Sequence, residues 1–390
     1  AGLGVIYLEL NDWALTVWNE NGVVAYSEPA AASFLNNTLV FGLDALTTSR
    51  NQPQAFASHY LDRLGSEPLT TSLGTAQNQA DLMFQQIIDL GIKEDTVVIV
   101  PSNFSNEKLG IFLGVAEKSG LKVKGFIDAP LAYGLETPTS KSFHLLDIGL
   151  HEASLTKMNV QGSTRTIADS RAIESLGFSS LIDGWLNVIA DEFIQKTRFD
   201  PFHFAETEQQ LFNAVLAYLD STPTSEVKIA VSHNGQERSV NIPQQRLNEK
   251  LTSRLKIIDF NGVDCLAINP RALQIPGMQT ALESFVPEVI VIDSSQLQKN
   301  LRSLSSSLSA ESINRITSGE SSYVSAGADQ ETADNRQTRS TVTTHLLLED
   351  HAYRYDDPRF NHRFSQPKSR LAPGEKIELE SKVYTAISVD

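Results

Sequence analysis

The chain opens on short apolar runs separated by polar breaks. Val5–Trp18, VIYLELNDWALTVW, reads as a strand, a tight turn at Asn11 and Asp12, and a second strand. Further strand-like runs are GVVAYS, TVVIVP, VKGFID, SFHLLDI, EASLTKMNV, STRTIAD, VKIAVS, DCLAIN and EVIVID. Helical periodicity appears between some of them. NEKLGIFLGVAEKSG puts Leu109, Phe112, Leu113 and Ala116 on one face and stops at Gly120. AQNQADLMFQQIIDLG, GFSSLIDGWLNVIADEFIQKT, ETEQQLFNAVLAYLDST and PQQRLNEKLTSRLKII are also amphipathic.

The order of these elements predicts a duplication. Three strands come first, then a mixed insertion, then strand–helix–strand. After about residue 143 the same opening recurs, with a turn at Gly149. Two halves that each start with a three-strand meander and continue with parallel strand–helix units describe an α/β fold. The expected division is 1–143 (insertion about 36–94), 144–328 (insertion about 185–258) and a 329–390 tail. In RSLSSSLSAES the near-helical spacing of Leu304, Leu308 and Ile313 predicts a short helix over the second half. DQETADNRQTRSTVTT reads as a flexible polar linker, and HLLLEDHAYRY and EKIELESKVYTAIS as strands.

Composition narrows the partners. The 390 residues are 41% hydrophobic and 20% charged, with a net charge of −15. That charge argues against nucleic acid and against an anionic membrane surface. There is no apolar run long enough to span a bilayer. The single cysteine, Cys265, excludes an internal disulfide, so a cytoplasmic location is expected; within VDCLAI it reads as a buried core thiol. No Ser–His–Asp arrangement, metal-ligand spacing or Gly-x-Ser-x-Gly elbow suggests another chemistry.

Four stretches together carry a family resemblance. TVVIVPSNFSNEKLGIFLGVAEKSGLKVKGFIDAPLAYGL (96–135) resembles the heat-shock protein 70 segment in which a strand ends in Val-Pro and a later strand runs into Pro and Ala-Tyr-Gly. SLGFSSLIDGWLNVIADEF (175–193) is similar to that family's Leu-Gly-Gly turn and long helix. VNIPQQRLNEKLTSRL (240–255) resembles its Ile-Thr-Arg-x-Arg-Phe-Glu-Glu-Leu helix, and FGLDALTTSRNQPQAFASHYLDRLG (41–65) its Gly-x-Ala-Ala…Arg-Leu-Ile-Gly insertion. The resemblance implies the actin-like ATPase fold, with two lobes, a five-stranded mixed sheet and flanking helices in each, and a nucleotide cleft between them. It also implies that the β-rich tail is the start of a substrate-binding domain.

The residues of that implied cleft depart from the family. Where the family reads Asp-Leu-Gly-Thr-Thr, this chain reads Glu9-Leu10-Asn11-Asp12-Trp13. Asn and Asp still permit the turn. Asp12, however, places negative charge where a triphosphate would sit: two unit charges ~5 Å apart cost about 3 kcal/mol at an effective dielectric near 20. Trp13 is bulky enough to fill the space. The second phosphate turn, Asp-Leu-Gly-Gly-Gly-Thr, is here Asp147-Ile148-Gly149-Leu150-His151-Glu152. Glu152 adds an acid, and His151 reads as a solvent-facing turn residue. Gly177 stands in the Leu-Gly-Gly turn. Ala129 replaces the water-orienting glutamate, and Asp128 is expected on the other face of its strand. Asn213, Leu216 and Ala217 take the adenosine-clamp positions, and Pro270 and Arg271 crowd the adenine turn. Arg50 and Arg63 are candidates for the family's catalytic lysine by proximity only.

Glu9, Asn11, Asp12, Trp13, Asp147, Gly149, Glu152 and Gly177 therefore form a vestigial nucleotide cleft. The expected function is a non-catalytic, chaperone-like or scaffold module that binds a protein or peptide partner and needs no cofactor. The alternatives are a divergent ATPase that still takes ATP and Mg²⁺, or a cleft whose acids hold a cation without nucleotide.

Overall fold

The turn at Asn11 and Asp12 folds β1 (Ile6–Glu9) back onto β2 (Leu15–Trp18), and β3 (Val24–Glu28) extends the meander. A computed structural model describes residues 4–219, 221, 224–323, 345–348, 351–354, 374, 376–379 and 382–387. On the other side of β1 lies β4 (Asp95–Val100), parallel, with Leu8 opposite Val98, and then β5 (Lys122–Asp128), also parallel. These central strands are nearly continuous apolar runs because both their faces are covered.

The second half repeats the plan. β6 (Phe143–Ile148), β7 (Ala153–Gln161) and β8 (Thr164–Ile173) form an antiparallel meander, and β9 (Cys265–Ile268) and β10 (Glu288–Val291) add parallel strands beside β6. The order β5-β4-β1-β2-β3 is thus matched by β10-β9-β6-β7-β8. The chain is mixed α/β.

The sheets are wider than the five strands expected of each. Two short strands, β11 (Arg315–Ile316) and β12 (Ser318–Glu320), pair with β5 and β8 respectively. In the tail, β13 (His345–Leu348), β14 (His351–Arg354), β15 (Lys376–Leu379) and β16 (Lys382–Ile387) join the first sheet, with Ile377 of β15 opposite Val24 of β3. Leu346, Ile377, Tyr384 and Ala386 bury against Trp18, Leu297 and Leu301. The expected linker, 329–344, lies outside the described residues.

Local chemistry sets the helix ends. In α1 (Gln79–Leu90) the Asn78 side chain accepts from the Asp81 amide at 2.8 Å, and Gly91 closes the helix at φ 64°. In α2 (Asn106–Ser119) Ser105 accepts from the Lys108 amide at 3.1 Å, and Gly120 closes it in the same left-handed way. The longest helices of the second half are α3 (Phe178–Thr197), α4 (Ala205–Leu219) and α5 (Gln244–Leu255). The serine-rich segment differs from expectation. Its helix, α6 (Leu297–Ser305), covers the first half of that stretch and stops where the leucine spacing continues. Leu297, Leu301 and Leu304 are the positions that bury; Leu308 packs only partly and Ile313 is exposed.

Each sheet has its own core. Leu8, Leu15, Leu82, Met83, Val98 and Phe112 pack around the first. Leu146, Leu155, Phe178, Trp185 and Leu266 pack around the second. Trp13 belongs to the second core although it sits on the β1–β2 turn of the first sheet. That exchange brings the two hairpin turns together. Among the described residues no helix is long and apolar enough to cross a membrane.

Candidate functional site

The β1–β2 and β6–β7 turns interlock through hydrogen bonds. Asn11 Oδ1 accepts from the Trp13 and Ala14 amides at 2.9 and 3.3 Å, which closes its own turn, while Asn11 Nδ2 donates to the Ile148 carbonyl at 3.3 Å. Asp12 Oδ1 accepts from the Leu150 amide at 2.7 Å. A Cβ at Gly149 would lie 2.3 Å from that same oxygen, so only glycine lets the carboxylate approach. Gly177 meets a similar limit, since a Cβ there would come within 2.5 Å of the Leu150 carbonyl. The first amides of α3 are spent on this junction: Phe178 donates to the Gly149 carbonyl at 2.9 Å and Ser179 to that of Leu150 at 2.8 Å.

Behind the turns lies a buried ionic cluster. Arg271 follows β9 and enters a short helical turn, Pro270–Gln274, started by Asn269, whose side chain accepts from the Arg271 amide at 3.1 Å. The Arg271 guanidinium bridges the ends of two strands from different sheets, donating to Asp147 Oδ1 at 2.8 Å and to Glu9 Oε1. Tyr133 donates its hydroxyl to Glu9 Oε2 at 2.7 Å and accepts from Arg271 at 3.2 Å. The side chains of Glu9, Asp147 and Arg271 are 2%, 10% and 7% exposed. One guanidinium therefore faces two carboxylates out of water. Burial lifts Glu9 and Asp147 above the ordinary carboxylate range, with Arg271 opposing it. Burial also works against the Arg271 charge, but the adjoining carboxylates outweigh it and hold the guanidinium protonated.

Trp13 fills the space beside the turns. Its ring stacks on Phe178 at a centroid distance of 3.9 Å and an interplanar angle of 9°, and its indole N–H points to Gln274 Oε1 at 3.4 Å. What is left between the turns is a cleft of about 50 Å³ lined by Asp12, Asp62, Asn103, Asp147 and Glu152 among others. Pockets for drug-sized ligands run to roughly 300–1,000 Å³. Trp13 also lines an apolar pocket of about 230 Å³, walled further by Leu46, Phe56, Leu150, Ile182 and Phe212.

All eight expected cleft residues lie at or beside this junction, but they serve two separate groupings. Glu9 and Asp147 belong to the Arg271 cluster. Asp12 and Glu152 face the small cleft, where Glu152 accepts from Asn103 Nδ2 at 2.7 Å. The expectations for His151, Arg50 and Arg63 need correction. His151 is not a solvent-facing turn residue: its Nε2 sits 2.9 Å from the Ser58 carbonyl and its ring stacks on His59 at 3.5 Å. Burial, with the His59 ring beside it, pulls its pKa down to about 4. Arg50 does not line the small cleft and pairs instead with Asp183 at 2.7 Å and Glu208 at 3.0 Å. Arg63 is largely exposed and comes no closer to Asp62 than 4.0 Å. Asp128 is buried and bonded to Arg315. Asn213 accepts from Gln209 at 3.0 Å, which occupies its amide oxygen. Cys265 is buried as expected, and burial pushes its thiol up to about 11.

The side chains of this junction least visible in sequence are Tyr133, Asp62 and His59. The Ala-Tyr-Gly triplet marked the first of these as a pattern element, without its bond to Glu9. Comparison with protein-family models finds no match, and comparison with curated proteins finds none either.

Proposed function

We propose that the chain is a divergent heat-shock-70-type protein of the actin-like ATPase superfamily that has exchanged nucleotide for internal ions and acts as a non-catalytic binding module. The repeated strand order, with a hairpin turn opening each half, supports the two-lobed reading. The observation that carries the functional reading is the pair of internal substitutes at the junction. Asp12 supplies a carboxylate oxygen to the Leu150 amide, the kind of backbone N–H that would otherwise face a phosphate oxygen. Arg271 supplies the positive charge between Glu9 and Asp147 that a magnesium ion would otherwise bring. Trp13 stacked on Phe178 occupies space beside the turns, and the cleft between them measures about 50 Å³, which supports the reading that no triphosphate is accommodated.

A frame of this kind suits a protein partner. Arg50 and Gln209 tie the 43–52 segment to α3 and α4, with the Arg50 amide donating to Gln209 Oε1 at 2.6 Å, so that segment is fixed to the second half by internal contacts. The 230 Å³ apolar pocket has the size and lining for one inserted side chain of a peptide or protein. Calorimetric titration of MgATP into the full chain tests the central point. The expected result is no heat and no thermal shift; micromolar ATP binding would overturn the reading.

A further inference from the structure

The 230 Å³ apolar pocket forms where the 43–58 segment meets α3 and α4. Leu46 and Phe56 come from the segment, Ile182 and Phe212 from the helices, and Trp13 and Leu150 from the two hairpin turns. A dry engineered cavity of about 150 Å³ takes benzene. At about 230 Å³ this one has room for a phenyl or indole ring.

The charged and polar groups on its walls are already engaged. The Arg50 guanidinium donates to Asp183 at 2.7 Å and to Glu208 at 3.0 Å, and it lies 4.9 Å from the centre of the Phe212 ring. His151, pulled down to about 4 by burial, is uncharged near pH 7, and its Nε2 sits 2.9 Å from the Ser58 carbonyl and 3.0 Å from the Ser58 hydroxyl. The Ser49 hydroxyl donates to the Leu46 carbonyl at 2.8 Å. A charged group entering the pocket would lose its water and meet no counter-charge in return. The mouth is different. Pro53 lines the pocket and is exposed, as are Asn51, Gln52 and Gln54 beside it. The pocket thus opens at a rim of side-chain amides, which both donate and accept and can hydrogen-bond an entering peptide backbone.

We propose that this pocket is a socket for one uncharged aromatic side chain, phenylalanine or tryptophan, carried by a protein partner. The proposal rests on the binding-module reading above and names the residue such a module would capture. Trp13, Phe56 and Phe212 give the socket aromatic walls, and aromatic pairs gain more than their buried area alone provides. An apolar socket inside a polar rim is also the setting in which a single buried aromatic anchor carries most of the binding at a protein interface.

The test titrates the full chain into a capped Gly-Gly-Trp-Gly-Gly peptide with fluorine on its indole and follows the fluorine resonance. Saturable broadening with one site per chain is expected. Unlabelled peptides with tryptophan or phenylalanine at the centre should reverse it at about a tenth of the concentration needed of the leucine peptide. Lysine and glutamate peptides should not reverse it. Ser179→Phe turns a ring into the cavity and should abolish binding while melting no lower than wild type; if that chain does not fold, Ile182→Phe fills the same space. Absence of saturable broadening would overturn the proposal. So would displacement by the lysine or glutamate peptide as readily as by tryptophan, or wild-type binding by a folded Ser179→Phe or Ile182→Phe chain. Binding of free indole without binding of the peptide would overturn the assignment to a protein partner. MgATP titrated in parallel separates the socket from the reading it rests on. The peptide result decides the socket, and silence toward the peptide and MgATP alike removes the socket alone.

Discussion

Replacing Arg271 with methionine tests the ionic cluster most directly. The side chain is 7% exposed and stands between two carboxylates that are 2% and 10% exposed. Methionine keeps much of the volume and removes the charge, leaving Glu9 and Asp147 buried and facing each other across the junction. Breaking a buried ion pair by removing one partner costs about 3–5 kcal/mol. With an unfolding entropy of about 2.1 cal/mol/K per residue, a 390-residue chain melting as one unit should lose roughly 4–6 °C. The loss should depend on pH with a definite sign. Glu9 and Asp147 already have raised folded-state pKa values, and without Arg271 they rise further. Stability from a raised carboxyl pKa is present at low pH and lost as pH climbs through the folded value, so the deficit should grow as pH rises above the ordinary carboxylate range. Circular-dichroism melts of wild type, Arg271→Met and the triple variant Glu9→Gln/Asp147→Asn/Arg271→Met would measure it. The triple variant should regain most of the stability, since replacing a whole buried ionic group is often near neutral. Arg271→Met melting with wild type at pH 8, or a triple variant no better than the single, would refute the assignment of the cluster as an internal neutraliser.

Three further outcomes follow from the same geometry. Burial, with Asp62 adding to it, pushes Asp12 up to about 7 from an ordinary value near 3.8. In metal-free buffer Asp12→Asn should therefore match wild type near pH 4 and exceed it increasingly up to pH 8, by a ceiling of about 4 kcal/mol. The difference between the two chains is the quantity to measure by urea melts, because His151, lowered to about 4, changes wild-type stability in the opposite direction over that window. Trp13→Ala should cost about 3–5 kcal/mol through the lost stack on Phe178 and the cavity left behind, yet gain no ATP binding by calorimetry, since Asp12 and Arg271 remain. Cys265, 3% exposed with its thiol raised to about 11, should resist a thiol-reactive disulfide reagent until the chain unfolds; prompt labelling of the native protein would contradict its burial.

Much of the framework was legible in the residues themselves. Alternating and continuous apolar runs gave the two meanders and the parallel strands, because side-chain period and burial act locally along a strand. Asn11 and Asp12 specified a tight turn, and Gly91 and Gly120 ended their helices, for equally local reasons. The serine-rich helix was misplaced because its spacing alone does not say which leucines find a core.

Only the tertiary structure decided what those residues do. Arg271 reaches Glu9 across 262 positions, and Leu150 donates to Asp12 across 138. No periodicity encodes such pairs, because their energy exists only once two sheets place their hairpin turns face to face. For the same reason Asp62 and His59, in a stretch that reads as ordinary polar sequence, come to lie beside Asp12 and His151. Sequence fixes which charges a chain carries and which strands it forms; folding decides which charges are left without water and must find each other.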